Sequence, residues 1–195
     1  ATTDIYTLSL HDALPIWPDS WYRKVWKYEQ NGNAVLFTIE SPDGEFGFPG
    51  NKKAKVTYTL TDKNELKIDY EVVTDKPTHI NLTNHTYFNL RGEGNGDILD
   101  HILVINADKA TPAKDESMIP TGEIKDIRGT ALDFTAPHSI GERIGDEHPQ
   151  LNFGSGYDIN YVLNKSAGEL SFAASAYEPE SGRYMEVFTT EPGVQ

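Results

Sequence analysis

The sequence predicts an all-β fold, an antiparallel sandwich or barrel, on three observations: short runs in which apolar and polar residues alternate, turn-forming clusters between those runs, and a best helical window that is short. Alternation at period two places one set of side chains on a single sheet face, so each run has one face to bury. Several short strands of this kind cover one another as packed antiparallel layers or as a sheet closed into a barrel.

The elements follow in order. Val35, Phe37 and Ile39 alternate in NAVLFTIE, and SPDGEFGFPG supplies a turn. Val56, Tyr58 and Leu60 alternate next, TDKNE turns the chain, and Leu66, Ile68, Tyr70 and Val72 alternate on the return, which is a hairpin pattern. After DKPT comes NLTNHTYFNL, residues 81–90. Read as a strand from His79, one parity holds Ile80, Leu82, Phe88 and Leu90, interrupted by Asn84 and Thr86. The other holds His79, Asn81, Thr83, His85, Tyr87 and Asn89. Every member of that second set forms hydrogen bonds, which suits a hydroxyl-rich ligand better than a core.

Residues 107–146 form a long polar stretch punctuated by Pro and Gly, with its best helical window at Ser139 to Ile144. GSGYDINYVLN, residues 154–164, reads as a loop entering a strand, and two further strand-like runs flank the turn EPESGR. The first sixteen residues differ in character. Tyr6 to Ile16, YTLSLHDALPI, resembles one reading frame of a short-read sequencing adapter, so residues 1–16 are expected to be non-native and are set aside from the fold.

Composition narrows the function. A chain of 195 residues suits one domain with a sizeable core. Thirty acidic against 17 basic residues give a formal charge of −13, which repels phosphate backbones and anionic lipid heads, so neither nucleic acid nor a membrane is an expected partner. There is no apolar run of the roughly 18 residues a spanning helix requires, and no secretory leader pattern opens the sequence. With no cysteine, disulfides, thiolate metal sites and cysteine nucleophiles are excluded. A soluble cytoplasmic protein is expected, and the sequons at Asn81, Asn84 and Asn164 are read as chance products of Asn- and Thr-rich segments.

His85 is the first candidate for chemistry, because imidazole gives and takes protons near neutral pH. Against it stands the plain reading of a satisfied strand histidine; the polar neighbours favour use on a ligand, since burying them unpaired costs about 1–3 kcal/mol per group. Asp158 can accept hydrogen bonds from adjacent sugar hydroxyls or can stabilise its own turn, and spacing does not choose between these. Glu191, held extended by Pro192, either lines a cleft or is solvated, with pattern favouring solvation. Trp17, Trp21 and Trp26 can stack on sugars, though their spacing fits a core or chain start better. No Walker loop, HExxH or G-x-S-x-G elbow occurs. His79 and His85 lie six residues apart, roughly 20 Å along a strand, so they cannot share a metal.

The segment NLTNHTYFNL resembles the active-site signature of the aldose 1-epimerases, or galactose mutarotases, along its whole length. DGEFGFPGN, IPTGEI followed by RGTALDF, GYDINYVLN and SGRYMEVFTTEPGVQ are similar to segments of the same family in the same order. The resemblance runs from Trp17 to Gln195 and implies that residues 17–195 are an incomplete galactose mutarotase-like β-sandwich. It further implies a cleft for a small aldose, no cofactor and no metal, and interconversion of α and β anomers of free hexoses by acid–base ring opening. His85 matches the family's general acid. Asp158 and Glu191 match positions that contact substrate, and Asn84 and Tyr87, beside His85 in the signature, are taken as substrate-binding. The family's catalytic glutamate lies in a later segment of the form SGFxLExQ, expected beyond residue 195, and an upstream histidine in an HGG-containing loop is expected before residue 17. The fragment alone is therefore expected to be inactive. Ile159 departs from the family, which more often has histidine there. Two rivals stand beside this reading: a non-catalytic carbohydrate-binding module, and a glycoside hydrolase using Asp158 and Glu191 as paired carboxylates.

Overall fold

The computed structural model describes residues 21–195. Trp17 and the segment 1–16 lie outside them. Among the described residues, nearly all regular structure is antiparallel strand, with a single six-residue α-helix and three short 3-10 turns. The all-β expectation holds. Contacts divide the chain into two compact units, one ending at Tyr87 and one running from Phe88 to Gln195.

The first unit is built on a four-stranded meander of β1 (Lys27–Asn31), β2 (Ala34–Ser41), β3 (Lys52–Leu60) and β4 (Leu66–Thr74), each paired with the next. The register sets Phe37 opposite Val56 and Val56 opposite Tyr70, and likewise Ile39, Ala54 and Val72 in one row. One face therefore gathers the alternating apolar residues of three strands, as the period-two pattern requires. Ile39 and Ala54 form a buried cluster with Trp21, against which Trp26, Phe46, Val72 and Leu82 pack. Trp21 and Trp26 meet edge to face at 6.3 Å, and the Trp26 indole N–H donates to the Trp21 carbonyl at 3.0 Å. These two tryptophans serve the core.

The turn between β2 and β3 is organised by charge. Lys52 begins β3 with only 4% of its surface exposed, and its ammonium donates to the carbonyls of Gly50 (2.7 Å), Phe48 (3.1 Å) and Pro42 (3.5 Å). A buried cation requires such acceptors. Asp43 accepts from the Gly50 N–H at 2.6 Å and from Lys76, while Asp75 accepts from both the backbone and the side chain of Asn51 at 2.7 Å. The turn is thereby tied to the end of β4.

The second unit contains two four-stranded antiparallel sheets. One has the order β11-β10-β5-β8, from β5 (Ile102–Ile105), β8 (His138–Ser139), β10 (Ser171–Tyr177) and β11 (Tyr184–Thr189). The other is β12-β9-β6-β7, from β6 (Lys109–Thr111), β7 (Lys125–Asp126), β9 (Asn160–Val162) and β12 (Gly193–Val194). Ile105, Ala173 and Ala174 from the first sheet share one buried cluster with Ala110 and Tyr161 from the second, joined by Ile127, Phe134, Leu151 and Ile159. This is a sandwich, one of the two arrangements the patterning allows and the one the family resemblance implies. A register shift between Phe172 and Ala174 lets consecutive alanines both enter the core, which strict alternation would forbid.

The runs flanking EPESGR form the hairpin β10–β11, and the Ser139–Ile144 window forms one 3-10 turn, Ile140–Glu142. The helix α1 (Pro149–Gly154) is not predicted by periodicity. It rests on local signals: proline at its first position, and His148 as N-cap, whose Nδ1 accepts from the Gln150 N–H at 3.2 Å. Gln150 then clasps Ala113 from inside, accepting from its N–H at 2.7 Å and donating to its carbonyl at 3.0 Å.

Candidate active site

The segment holding His85 is not a strand. Residues 77–89 have no regular secondary structure, and no described strand pairs with them. The two-sided reading of His79–Leu90 is corrected accordingly. Side chains supply what a ladder would have supplied, which is how backbone groups outside a sheet are satisfied. Asn84 Oδ1 accepts from the Thr86 N–H at 3.2 Å, and Asn89 Oδ1 accepts from the Arg91 N–H at 3.0 Å. One apolar expectation survives, since Leu82 packs on the tryptophan cluster; Ile80 and Phe88 are exposed.

His85 is half-buried, and its ring centre lies 5.0 Å from that of Tyr87 with the planes inclined at 53°. Tyr87 is 87% exposed, so its ring face is open to a partner. Asn84 is turned to a neighbour within the first unit: its amide donates to the Tyr58 hydroxyl at 3.1 Å, fastening the signature to β3. Burial pushes the Tyr58 phenol up, and the Asn84 hydrogen bond opposes that rise.

In the second unit, Leu90, the last residue of the signature, is held at both backbone groups. His101 Nε2 accepts from its N–H at 3.0 Å, and its carbonyl accepts from Arg183 at 2.8 Å. Accepting at Nε2 leaves the proton of a neutral His101 on Nδ1. Arg91, next in the chain, pairs with Glu178 at 3.3 Å. Glu178 is fully buried and also accepts from the backbone N–H groups of Ser181 (2.6 Å) and Glu180 (3.0 Å). Hydrogen bonds, that of the Ser181 side chain foremost, outweigh burial and hold its carboxyl down at about 2.

Asp158 lies between α1 and β9, half-buried. The chain reaches it through Ser155 in the left-handed region (φ 52°) and Gly156 (φ 134°). Its neighbours are anchored: the Tyr157 hydroxyl donates to the Ala131 carbonyl at 3.0 Å, the Tyr157 ring meets Phe134 edge to face at 5.0 Å, and Ile159 is 5% exposed within the core. The residue that departs from the family pattern is thus a packing residue in this chain. Asp158 Oδ1 accepts from the Gln195 side-chain amide at 2.5 Å, a meeting produced by the pairing of β12 with β9, where Val194 faces Tyr161.

The structure therefore joins Asp158 to the TTEPGVQ segment through Gln195, a residue that sequence reasoning does not single out. Its signal was position, two residues past a glycine in the same motif. Gly193 is itself required there, since a Cβ on it would lie 2.5 Å from Asn160 Oδ1. Glu191 is exposed, and its N–H donates to Thr189 Oγ1 at 3.0 Å. Among the described residues no group of three or more His, Asp or Glu side chains is placed to hold a metal ion, and no helix is long and apolar enough to cross a membrane.

A β-rich fold with an Asn-His-Thr-Tyr segment and a strand-entry aspartate defines a narrow class, and comparison with known proteins specifies it. The chain belongs to the aldose 1-epimerase family, whose model matches residues 18–195. It is 44% identical over 171 residues to galactose mutarotase of Homo sapiens, covering 88% of this chain and 48% of that protein. It is 37% identical over 179 residues to aldose 1-epimerase of Escherichia coli, covering 91% and 51%. Among solved structures, an aldose epimerase homologue from C. elegans superposes with a TM-score of 0.77 at 26% identity over 90% of this chain and 52% of that one. Galactose 1-epimerase from Lactobacillus acidophilus superposes with a TM-score of 0.70 at 32% identity, covering 80% and 46%. The chain spans about half the length of the curated relatives it matches.

Proposed function

We propose that this chain contributes the general acid and a sugar-binding carboxylate to an aldose 1-epimerase acting on free hexoses such as galactose and glucose. The observation that carries this reading is the intact NLTNHTYFNL signature in a chain 44% identical to a protein named galactose mutarotase. Residues 17–195 are then part of a larger sandwich, residues 1–16 are foreign to it, and the protein works in the cytoplasm without a metal or organic cofactor.

In the proposed reaction, a glutamate takes the proton from the hydroxyl on C1 while the His85 imidazolium gives its proton to the ring oxygen. The C1–O5 bond breaks, leaving an open-chain aldehyde. Rotation about C1–C2 and reclosure on the other face give the opposite anomer, with His85 now accepting the proton it gave. An imidazole serves both directions because its charge changes near neutral pH. Tyr87 offers an aromatic face for the pyranose ring, Asp158 and Glu191 accept hydrogen bonds from hydroxyls, and Asn84 holds the signature while contacting sugar with its remaining hydrogen-bonding capacity. The base is assigned to the family's SGFxLExQ segment, which the sequence to Gln195 does not contain.

Magnetisation transfer between the α and β anomeric protons of galactose tests the reading. The protein restored at both ends, with a family HGG-containing loop and SGFxLExQ segment, should speed exchange above the spontaneous rate and broaden the sugar signals on binding. Sugar contact without faster exchange would point to a non-catalytic carbohydrate-binding module, and the absence of both would overturn the proposal.

A further inference from the structure

Glycine at the end of a helix is usually there for its backbone, because a left-handed residue follows the last turn. Gly154 ends α1 without that reason. Its φ is not positive, and the left-handed residue is Ser155, at φ 52°. On backbone grounds alone, alanine would suit position 154 better, by roughly 1 kcal/mol of helix propensity.

Space explains the glycine. A Cβ at position 154 would lie 2.9 Å from Asp158 Cβ and 3.7 Å from Met118 Cε. The second distance is ordinary contact and the first is not. Asp158 Cβ is bonded to the main chain, so it cannot swing aside as the tip of a long side chain would. The main chain has little room to yield on either side, because the Tyr157 hydroxyl is bound to the Ala131 carbonyl and Ile159 is sealed in the core. Gln150, clasped to Ala113, holds α1 from the other side, so an added methyl has to force residue 158 as a whole, backbone and Cβ together, and with it the carboxylate that meets Gln195.

We propose that Gly154 is a positioning residue for Asp158: its missing side chain is the seat that aims the carboxylate at the Gln195 amide and at the sugar hydroxyls above it. The sugar part of this statement rests on Asp158 being a sugar-contacting residue. The seat itself does not.

Two measurements on the 195-residue chain separate these. The Gln195 side-chain amide resonances report the Asp158 contact without any ligand. Gly154→Ala should move them as far as Asp158→Asn does, while Gly145→Ala, whose Cβ meets nothing within 4 Å, should leave them unchanged. Galactose titration then gives the second readout, in which Gly154→Ala and Asp158→Asn should each weaken binding at least about tenfold, the loss expected for one hydrogen bond to a charged group. Unmoved Gln195 amides in Gly154→Ala, or a folded variant more stable than wild type with unchanged amides and unchanged affinity, would overturn the proposal. A wild-type chain that ignores galactose while Gly154→Ala still shifts the Gln195 amides would leave the seat standing and remove the sugar role of Asp158.

Discussion

Replacing Gln150 by leucine tests how firmly the helix before Asp158 is held. Gln150 and Ala113 are 8% and 7% exposed, and the glutamine amide satisfies both the N–H and the carbonyl of Ala113. Leucine keeps the volume and removes both partners at once. Each orphaned group costs about 1–3 kcal/mol, so the loss should fall at about 2–6 kcal/mol, less whatever the apolar side chain recovers. For a unit of this size that is a fall in Tm on the order of 10 °C, measured by circular dichroism. Gln150→Glu sharpens the test. It keeps an acceptor for the Ala113 N–H but sets a charge against the Ala113 carbonyl, and burial raises the folded-state carboxyl above the ordinary glutamate range, so the variant should be destabilised at pH 7 and regain stability as pH falls towards about 4, the unfolded value. A fall of less than about 2 °C for Gln150→Leu would mean that Ala113 finds other partners and that the clasp does not hold α1.

Three further outcomes follow from the geometry. Asn84→Ala and Tyr58→Phe should each cost about 1 kcal/mol in urea denaturation, and the double variant should cost less than the sum, because both remove one bond; full additivity would refute the tether. Glu178 lowers its folded-state value to about 2, below the ordinary glutamate value of 4.5, so the stability it contributes is complete above pH 4.5 and lost as pH falls through 2. Glu178→Gln should flatten that part of the stability profile, and an unchanged acid limb would contradict the assignment. Lys52→Met leaves the carbonyls of Gly50, Phe48 and Pro42 without their shared donor, and should destabilise the first unit by about 1.5–3 kcal/mol with the largest amide shifts at residues 42–51; a neutral result would mean the turn does not depend on the buried ammonium.

The parts of the fold that were legible are those where one face is buried. Ile39, Ala54 and Val72 fall in one row because alternation and register report the same burial. Residues 79–90 have similar alternation but no ladder. Period-two patterning states which side a residue prefers and carries no information on whether a neighbouring strand is present to accept its hydrogen bonds. The helix α1 leaves no periodic signal because six residues are too few to show a stripe, and its cap is a histidine, which the usual N-cap signals omit. His85 and Asp158 could be singled out from residue type and setting. Gln195 could not, because its contact with Asp158 spans 37 positions and exists only once β12 has paired with β9.

Polarimetry of fresh α-D-galactose tests the central claim most directly, with the protein restored at both ends, by the HGG-containing loop and the SGFxLExQ segment, and compared as wild type and as His85→Ala. Loss of a general acid should lower the rate about 10²–10⁴-fold, with the variant still folded and still binding galactose. Equal rates in the two proteins would contradict the account, because the imidazole of His85 would then move no proton in the reaction.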